Sequence, residues 1–175
     1  QQNLIKEKST KDIFKTTENR IKAISLIEEK LFRSPNLKSI NYGECFTQLA
    51  EQIFSAYKTQ KGNVTYTLDF KDFDINISRA IPLALIINEL ITNSIKHAFT
   101  EAQTGNISIS FKCENGNCSL EYNDDGIGMK ENFNPLNPER LGYMLINALA
   151  SQLDGEFKIM ESANGFKFIL NFPVN

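Results

Sequence analysis

Apolar positions along the chain follow two periods. Tyr42, Phe46, Leu49, Ala50, Ile53, Phe54 and Tyr57 recur at steps of three and four, the spacing of one buried helix face. Residues 4–33 hold no Gly or Pro, and Ile13, Thr17, Ile21, Ile24, Glu28 and Leu31 keep similar steps, which predicts one long helix stopped by Ser34 and Pro35. Its stripe of Leu4, Ile5, Ile13, Phe14, Ile21, Ile24, Ile27 and Leu31 is thin and set among lysines, so the helix needs partner helices. A short strand is expected at 40–42. After a polar turn at 58–63, Val64, Tyr66, Leu68 and Phe70 alternate with polar residues as a half-buried strand.

Residues 72–78 read as irregular, with a short strand at Ile75 and Ile77, and Pro82 suits the first turn of a helix running to about Phe99. Residues 106–111 and 119–123 alternate on either side of Glu114-Asn115-Gly116-Asn117, a hairpin signal. Residues 124–139 form a long Gly-, Asn- and Pro-bearing loop, a length that points to function. Residues 141–153 are helical and closed by Gly155, and 156–161 with 166–172 make a second hairpin through Asn164-Gly165. This order predicts an α+β fold, a two-layer sandwich of a mixed sheet with helices on one face, preceded by the long N-terminal helix.

Composition narrows the function. The 175 residues are 41% apolar and 23% charged, in keeping with one ordinary globular domain. Lys plus Arg number 19 against 21 Asp plus Glu, so a nucleic-acid-coating role is excluded. Residues 1–40 carry 9 basic and 5 acidic side chains and residues 41–175 carry 10 and 16, which suggests two parts, 1–38 and 39–175. The best apolar run, 81–90, is too short to span a membrane. Residue 1 is Gln and no leader precedes the structured part, so the chain reads as an internal piece of a longer protein. Cys45, Cys113 and Cys118 lack the spacing of a zinc site and read as buried or incidental thiols in a reducing compartment.

Three segments depart from what packing alone requires. In Asn88-Glu89-Leu90-Ile91-Thr92-Asn93-Ser94-Ile95-Lys96-His97, the residues Glu89, Asn93 and Lys96 share one helix face. A carboxylate, an amide oxygen and an ammonium stacked there suit a polyphosphate with Mg²⁺; a solvated stripe is the plain alternative. Asp124-Asp125-Gly126-Ile127-Gly128 follows a strand, with two glycines that let a flat ligand approach the backbone and an Asp able to accept from an exocyclic amine; an ordinary Asp-Gly turn has the same letters. Leu141-Gly142 opens a helix whose free N–H groups suit an anion, or serves packing alone.

Taken in order, these boxes resemble the ATP-binding domain shared by sensor histidine kinases, DNA gyrase, mismatch-repair ATPases and the large heat-shock chaperones, the Bergerat-type or GHKL superfamily. Asn93 and Asp124 are 31 residues apart and Asp124 and Gly142 are 18 apart, and the resemblance covers about residues 39–175. It implies that ATP and Mg²⁺ bind, that Asn93 ligates the metal, and that Asp124 reads the adenine amine. It further implies that Gly126, Gly128, Leu141 and Gly142 shape the nucleotide loop, the lid lying between them, and that Lys96 lies near the phosphates. Glu89 stands where related ATPases place a general base, a position at which the kinases differ. The family pattern Gly-Thr-x-Phe before the final strand is here Gly165-Phe166-Lys167-Phe168, so a hydroxyl is missing and reduced nucleotide affinity is expected.

Residues 18–34, with Glu18-Asn19-Arg20-Ile21 and Leu26-Ile27-Glu28-Glu29-Lys30-Leu31-Phe32, resemble the second dimerisation helix of one histidine kinase subfamily, whose pattern is N-R-I then I-H-E-K-L-Y; Glu28 and Phe32 are departures. The resemblance implies γ-phosphoryl transfer from ATP to a histidine upstream of these residues and thence to a response regulator receiver domain. It also implies a homodimer through a helical bundle and a cytoplasmic location for these residues, with membrane attachment of the full protein left open. His97, the sole histidine, lies in the asparagine box and is poorly placed as the acceptor. An anti-sigma-type serine kinase, whose box resembles Asn-Glu-x-x-Thr-Asn-Ala-x-x-His, and a nonenzymatic scaffold that binds a regulator are the alternatives.

Overall fold

The computed structural model describes residues 2–33, 40–57, 64–71, 74–99, 104–128, 141–161 and 165–174. In chain order the elements are α1 (Gln2–Arg33), β1 (Ile40–Asn41), α2 (Tyr42–Tyr57), β2 (Val64–Phe70), β3 (Asp74–Ile75), α3 (Ile77–His97), β4 (Gly105–Glu114), β5 (Asn117–Asp124), α4 (Leu141–Gln152), β6 (Glu156–Glu161) and β7 (Phe166–Pro173). The main sheet has five strands in the order β2-β4-β5-β7-β6, and β1 pairs with β3 in a separate two-stranded ribbon. Only β2 and β4 run parallel within the main sheet, because α3 carries the chain across between them; the other neighbours are antiparallel.

One face of the sheet is apolar and covered. Ile107, Ile109 and Phe111 of β4, Leu120 and Tyr122 of β5, and Phe168, Leu170 and Phe172 of β7 are buried against Phe46, Leu49, Leu83, Ile87 and Ile146 from the helices. Each fully buried side chain of this size contributes about 1.5–3 kcal/mol. On the opposite face Ser108, Ser110, Glu121 and Lys167 are half-buried, and Lys167 pairs with Glu121 at 3.6 Å. The fold is thus the expected α+β sandwich, a mixed sheet with its helices on one face.

Several details differ from the sequence reading. The β4–β5 hairpin turns at Asn115 and Gly116, both with positive φ (52° and 79°), as a two-residue hairpin turn requires. That register places Cys113 opposite Cys118 with their Cα atoms 4.0 Å apart, and the two form a disulfide rather than remaining incidental thiols; Cys45 is buried and free. Helix α3 begins at Ile77, not at Pro82, because Asn76 accepts the Ser78 N–H at 3.1 Å and caps the helix; Pro82 therefore falls in the second turn. At the end of α4 the left-handed residue is Asp154 (φ 54°), and Gly155 returns its N–H to the Ala150 carbonyl at 2.9 Å. Arg79 of α3 donates to the carbonyl of buried Leu153 at 2.5 Å, tying α3 to the end of α4.

The described part of α1 is covered by the same chain along one side only. Ala23 and Ile27 are fully buried. Toward α2, Lys15 Nζ donates to the Ala56 carbonyl at 2.7 Å and stands 4.0 Å over the Tyr57 ring, whose hydroxyl accepts from buried Asn19 at 3.4 Å. Phe14 and Ile21, on the outer side of α1, stay exposed. Among the described residues no helix is long and apolar enough to cross a membrane.

Candidate functional site

Helix α3 is apolar enough to belong in the core, yet Asn88, Glu89, Thr92 and Ser94 are all buried on it. Buried polar groups of this kind need partners or a ligand. The Glu89 carboxylate accepts two hydrogen bonds from Arg20 of α1, Nε at 2.8 Å and Nη2 at 2.9 Å, and a third from Asn88 Nδ2 at 3.1 Å. The same contact raises the Arg20 pKa above its ordinary value, chiefly through the hydrogen bond to Glu89. One helical turn on, the Asn93 amide nitrogen is buried with no hydrogen-bond partner among the described residues, as are Asn88 Oδ1 and Thr92 Oγ1. Another turn on, Lys96 Nζ donates to Thr16 Oγ1 of α1 at 2.6 Å.

The start of α4 meets α3 at this point. A Cβ placed on Gly142 would lie 3.1 Å from Glu89 Oε2 and 3.5 Å and 3.6 Å from the two polar atoms of the Asn93 amide. Glu89, Asn93 and Gly142 are therefore neighbours at the N-terminus of α4. Leu141 opens that helix; its side chain lies outside the described residues, as does the lid expected over 129–140.

A second polar centre sits at the end of β5. Asp124 is buried; its Oδ2 accepts the Ser94 hydroxyl at 2.5 Å, its Oδ1 accepts the Gly126 N–H at 3.1 Å, and the Phe166 backbone also hydrogen-bonds the carboxylate. Burial pushes its pKa up, and these donors pull against that shift. The backbone around it is packed too closely for side chains. A Cβ on Gly126 would stand 2.4 Å from the Ala98 carbonyl oxygen, beside the Ile127 N–H bond to that same oxygen, and Gly165 (φ 112°) has its Cβ position filled by the Asp124 carbonyl. Gly128, also at positive φ (70°), ends the described part of the loop.

The residues singled out in the sequence thus fall into two clusters joined by α3: Glu89, Asn93 and Gly142 at one, Asp124 and Gly126 at the other. Lys96 faces α1. Three participants were not singled out: Arg20, Thr16 and Ser94. Arg20 lay in view inside Asn19-Arg20-Ile21, and Ser94 was a hydroxyl at an otherwise apolar helical position.

The donor set fits a nucleotide with Mg²⁺. An orphaned amide nitrogen beside a glycine-lined helix start suits a phosphate oxygen, and the amide oxygen of the same Asn93 is the hard ligand that Mg²⁺ prefers. Among the described residues no group of three or more His, Cys, Asp or Glu side chains could hold a metal on its own.

Comparison with known proteins finds two families. Residues 78–175 match the family described as histidine kinase-, DNA gyrase B- and HSP90-like ATPase, and residues 1–57 match a second family described as histidine kinase. The sensor histidine kinase PdtaS of Mycobacterium tuberculosis is 26% identical over 161 residues, 89% of this chain and 31% of that protein. Blue-light-activated histidine kinase 2 of Erythrobacter litoralis is 22% identical over 116 residues, 66% of this chain and 34% of that protein. The chain spans about a third of the length of these curated relatives. In fold it is similar to the histidine kinase domain of an Erythrobacter litoralis blue-light-activated histidine kinase (TM-score 0.82, 20% identity, 98% of this chain and 85% of that one). It is also similar to Acinetobacter baumannii histidine kinase AdeS (TM-score 0.64, 19% identity, 89% and 76%).

Proposed function

Because the chain belongs to the histidine kinase-, DNA gyrase B- and HSP90-like ATPase family, we propose that it is the ATP-binding catalytic portion of a sensor histidine kinase. In this reading it transfers the γ-phosphoryl of ATP to a histidine outside residues 1–175, and a response regulator receiver domain takes the phosphoryl next. The observation that carries it is the pair of buried polar clusters on α3, one suited to a phosphate with a cation and one to an adenine amine. The match of residues 1–57 to a histidine kinase family favours it over a serine kinase or a scaffold, and supports a homodimer built through α1 and a helix preceding it. Residues 1–38 then serve dimerisation and 39–175 nucleotide chemistry.

Each residue has a task in this reading. Asp124 accepts from the adenine exocyclic amine, while Gly126 and Gly128 let the base approach the backbone. Gly142, after Leu141, leaves the α4 N-terminus open to phosphate, and Asn93 offers its amide oxygen to the metal. When bound, Mg²⁺ supplies positive charge that offsets the phosphates during transfer. Lys96 exchanges its bond to Thr16 for a phosphate oxygen. Glu89 is free to act as a base only when Arg20 withdraws; while the two are paired it fastens α1 to the nucleotide helix.

Calorimetric titration of the chain with a nonhydrolysable ATP analogue tests the site. Mg²⁺ is expected to strengthen binding, Asp124→Asn to abolish it, and Asn93→Ala to remove the Mg²⁺ effect. No binding at millimolar nucleotide would refute the reading. In the full-length protein the label from γ-phosphate-labelled ATP should enter an acid-labile, base-stable phosphohistidine.

A further inference from the structure

We propose that Ser94 is a positioning residue for the adenine-reading carboxylate of Asp124, supplying from α3 the hydroxyl that the family pattern places just before its last strand. The proposal rests on reading the site as a nucleotide site.

At the position of the absent threonine stands Phe166. Its ring is buried edge-on against Tyr122, with centroids 6.2 Å apart, so it brings no hydroxyl to Asp124 and contributes only through its backbone. The carboxylate is nevertheless served. Ser94 Oγ lies 2.5 Å from Oδ2, and Ser94 itself is buried on the turn of α3 that faces β5. A serine inside a helix usually bonds back to the carbonyl four residues earlier. Here that carbonyl, Leu90, already accepts the Tyr122 hydroxyl at 3.2 Å, which favours commitment of the Ser94 hydroxyl to Asp124.

With Ser94 on Oδ2 and the Gly126 N–H on Oδ1, the plane of the carboxylate is fixed from both sides. With the Phe166 backbone as the third donor, one lone pair of the carboxylate is left for an amine. The hydroxyl also favours the charged form of a carboxyl that burial drives toward protonation, and the charged form is the better acceptor. Ser94 therefore sets selectivity for a base that carries an exocyclic amine, and the missing threonine does not leave Asp124 unsupported.

The test compares ATP with inosine triphosphate, whose base carries a carbonyl in place of that amine, on the wild-type chain, Ser94→Ala, Ser94→Thr and Asp124→Asn. Removing one hydrogen bond to a charged group should weaken ATP binding by Ser94→Ala roughly tenfold or more. Inosine triphosphate affinity should stay within about twofold of wild type, since no amine is read there. Ser94→Thr should restore the preference for ATP. An equal loss for both nucleotides, or no loss, in a Ser94→Ala chain that melts as wild type does would overturn the assignment to Ser94 alone. Failure of the wild-type chain to bind ATP, or unchanged binding in Asp124→Asn, would overturn the nucleotide reading and the Ser94 assignment together.

Discussion

Replacing Arg20 by Met removes the guanidinium that holds Glu89 while leaving most of its aliphatic stem. The Glu89 side chain is only 3% exposed and that of Arg20 24%, so the lost partner leaves a carboxylate in the protein interior with Asn88 Nδ2 beside it. Breaking a buried pair from one side costs about 3–5 kcal/mol; the partial exposure of Arg20 brings the figure here to about 2–3 kcal/mol. For a domain of this size each kcal/mol moves the midpoint by about 2–4 °C, so the variant should melt about 4–12 °C lower. Urea unfolding followed by circular dichroism, with an unchanged slope, gives the number directly. Glu89→Gln keeps one of the two acceptor oxygens and turns an amide donor toward Arg20 at the other, so it should lose about 1–3 kcal/mol. In the double-mutant cycle of Arg20→Met with Glu89→Leu, a coupling below about 0.5 kcal/mol, the range of exposed pairs, would refute the contact. Coupling should also persist at 1 M salt, where surface pairs are screened out.

Two further outcomes concern the site. Burial raises the folded-state pKa of Asp124 above 3.8, so the folded chain holds that proton to higher pH than the unfolded chain does, and stability falls as pH rises through the window above 3.8. Asp124→Asn should therefore leave the ligand-free chain more stable at neutral pH and flatten that part of its pH profile, even as it loses nucleotide; thermal melts from pH 4 to 8 would show a lower melting point instead if the carboxylate were not strained by burial. Gly126→Ala forces a methyl against the Ala98 carbonyl and displaces the Ile127 bond to it, so nucleotide binding should drop more than tenfold with the sheet intact by circular dichroism. Unchanged binding in that variant would show that the loop is not held against the end of α3.

What could be read in the chain was local. The spacing of Phe46, Leu49, Ile53 and Tyr57 gave away α2, and alternation marked β2, β4, β5 and β7, because burial of one face imprints a short period. The Asn93 and Asp124 boxes were visible for the same reason, their chemistry being concentrated in a few adjacent letters. Contacts between distant segments left no such mark. Arg20 and Glu89 are 69 residues apart and Lys96 and Thr16 are 80, so neither pairing could be seen from periodicity. The start of α3 is hard to read because Pro82 is a strong local signal while the Asn76 cap rests on two hydrogen bonds from Ser78. The Cys113–Cys118 bond is closer to legible: the two cysteines stand one pair back from a two-residue turn and must face each other once the hairpin register is set.

The strand order carries a consequence for how the chain comes into being. Strand β7 lies inside the sheet, between β5 and β6, although it follows both in sequence. Until residues 166–173 have been synthesised, β5 has one open edge, β6 has no neighbour, and Asp124 lacks the backbone support of Phe166. A growing chain can form the β4–β5 hairpin early, but Asp124 gains the backbone support of Phe166 only once β7 has paired. Intermediates that lack β7 therefore expose a pairing edge on β5, and the proposed reading of adenine by Asp124 would wait for that strand.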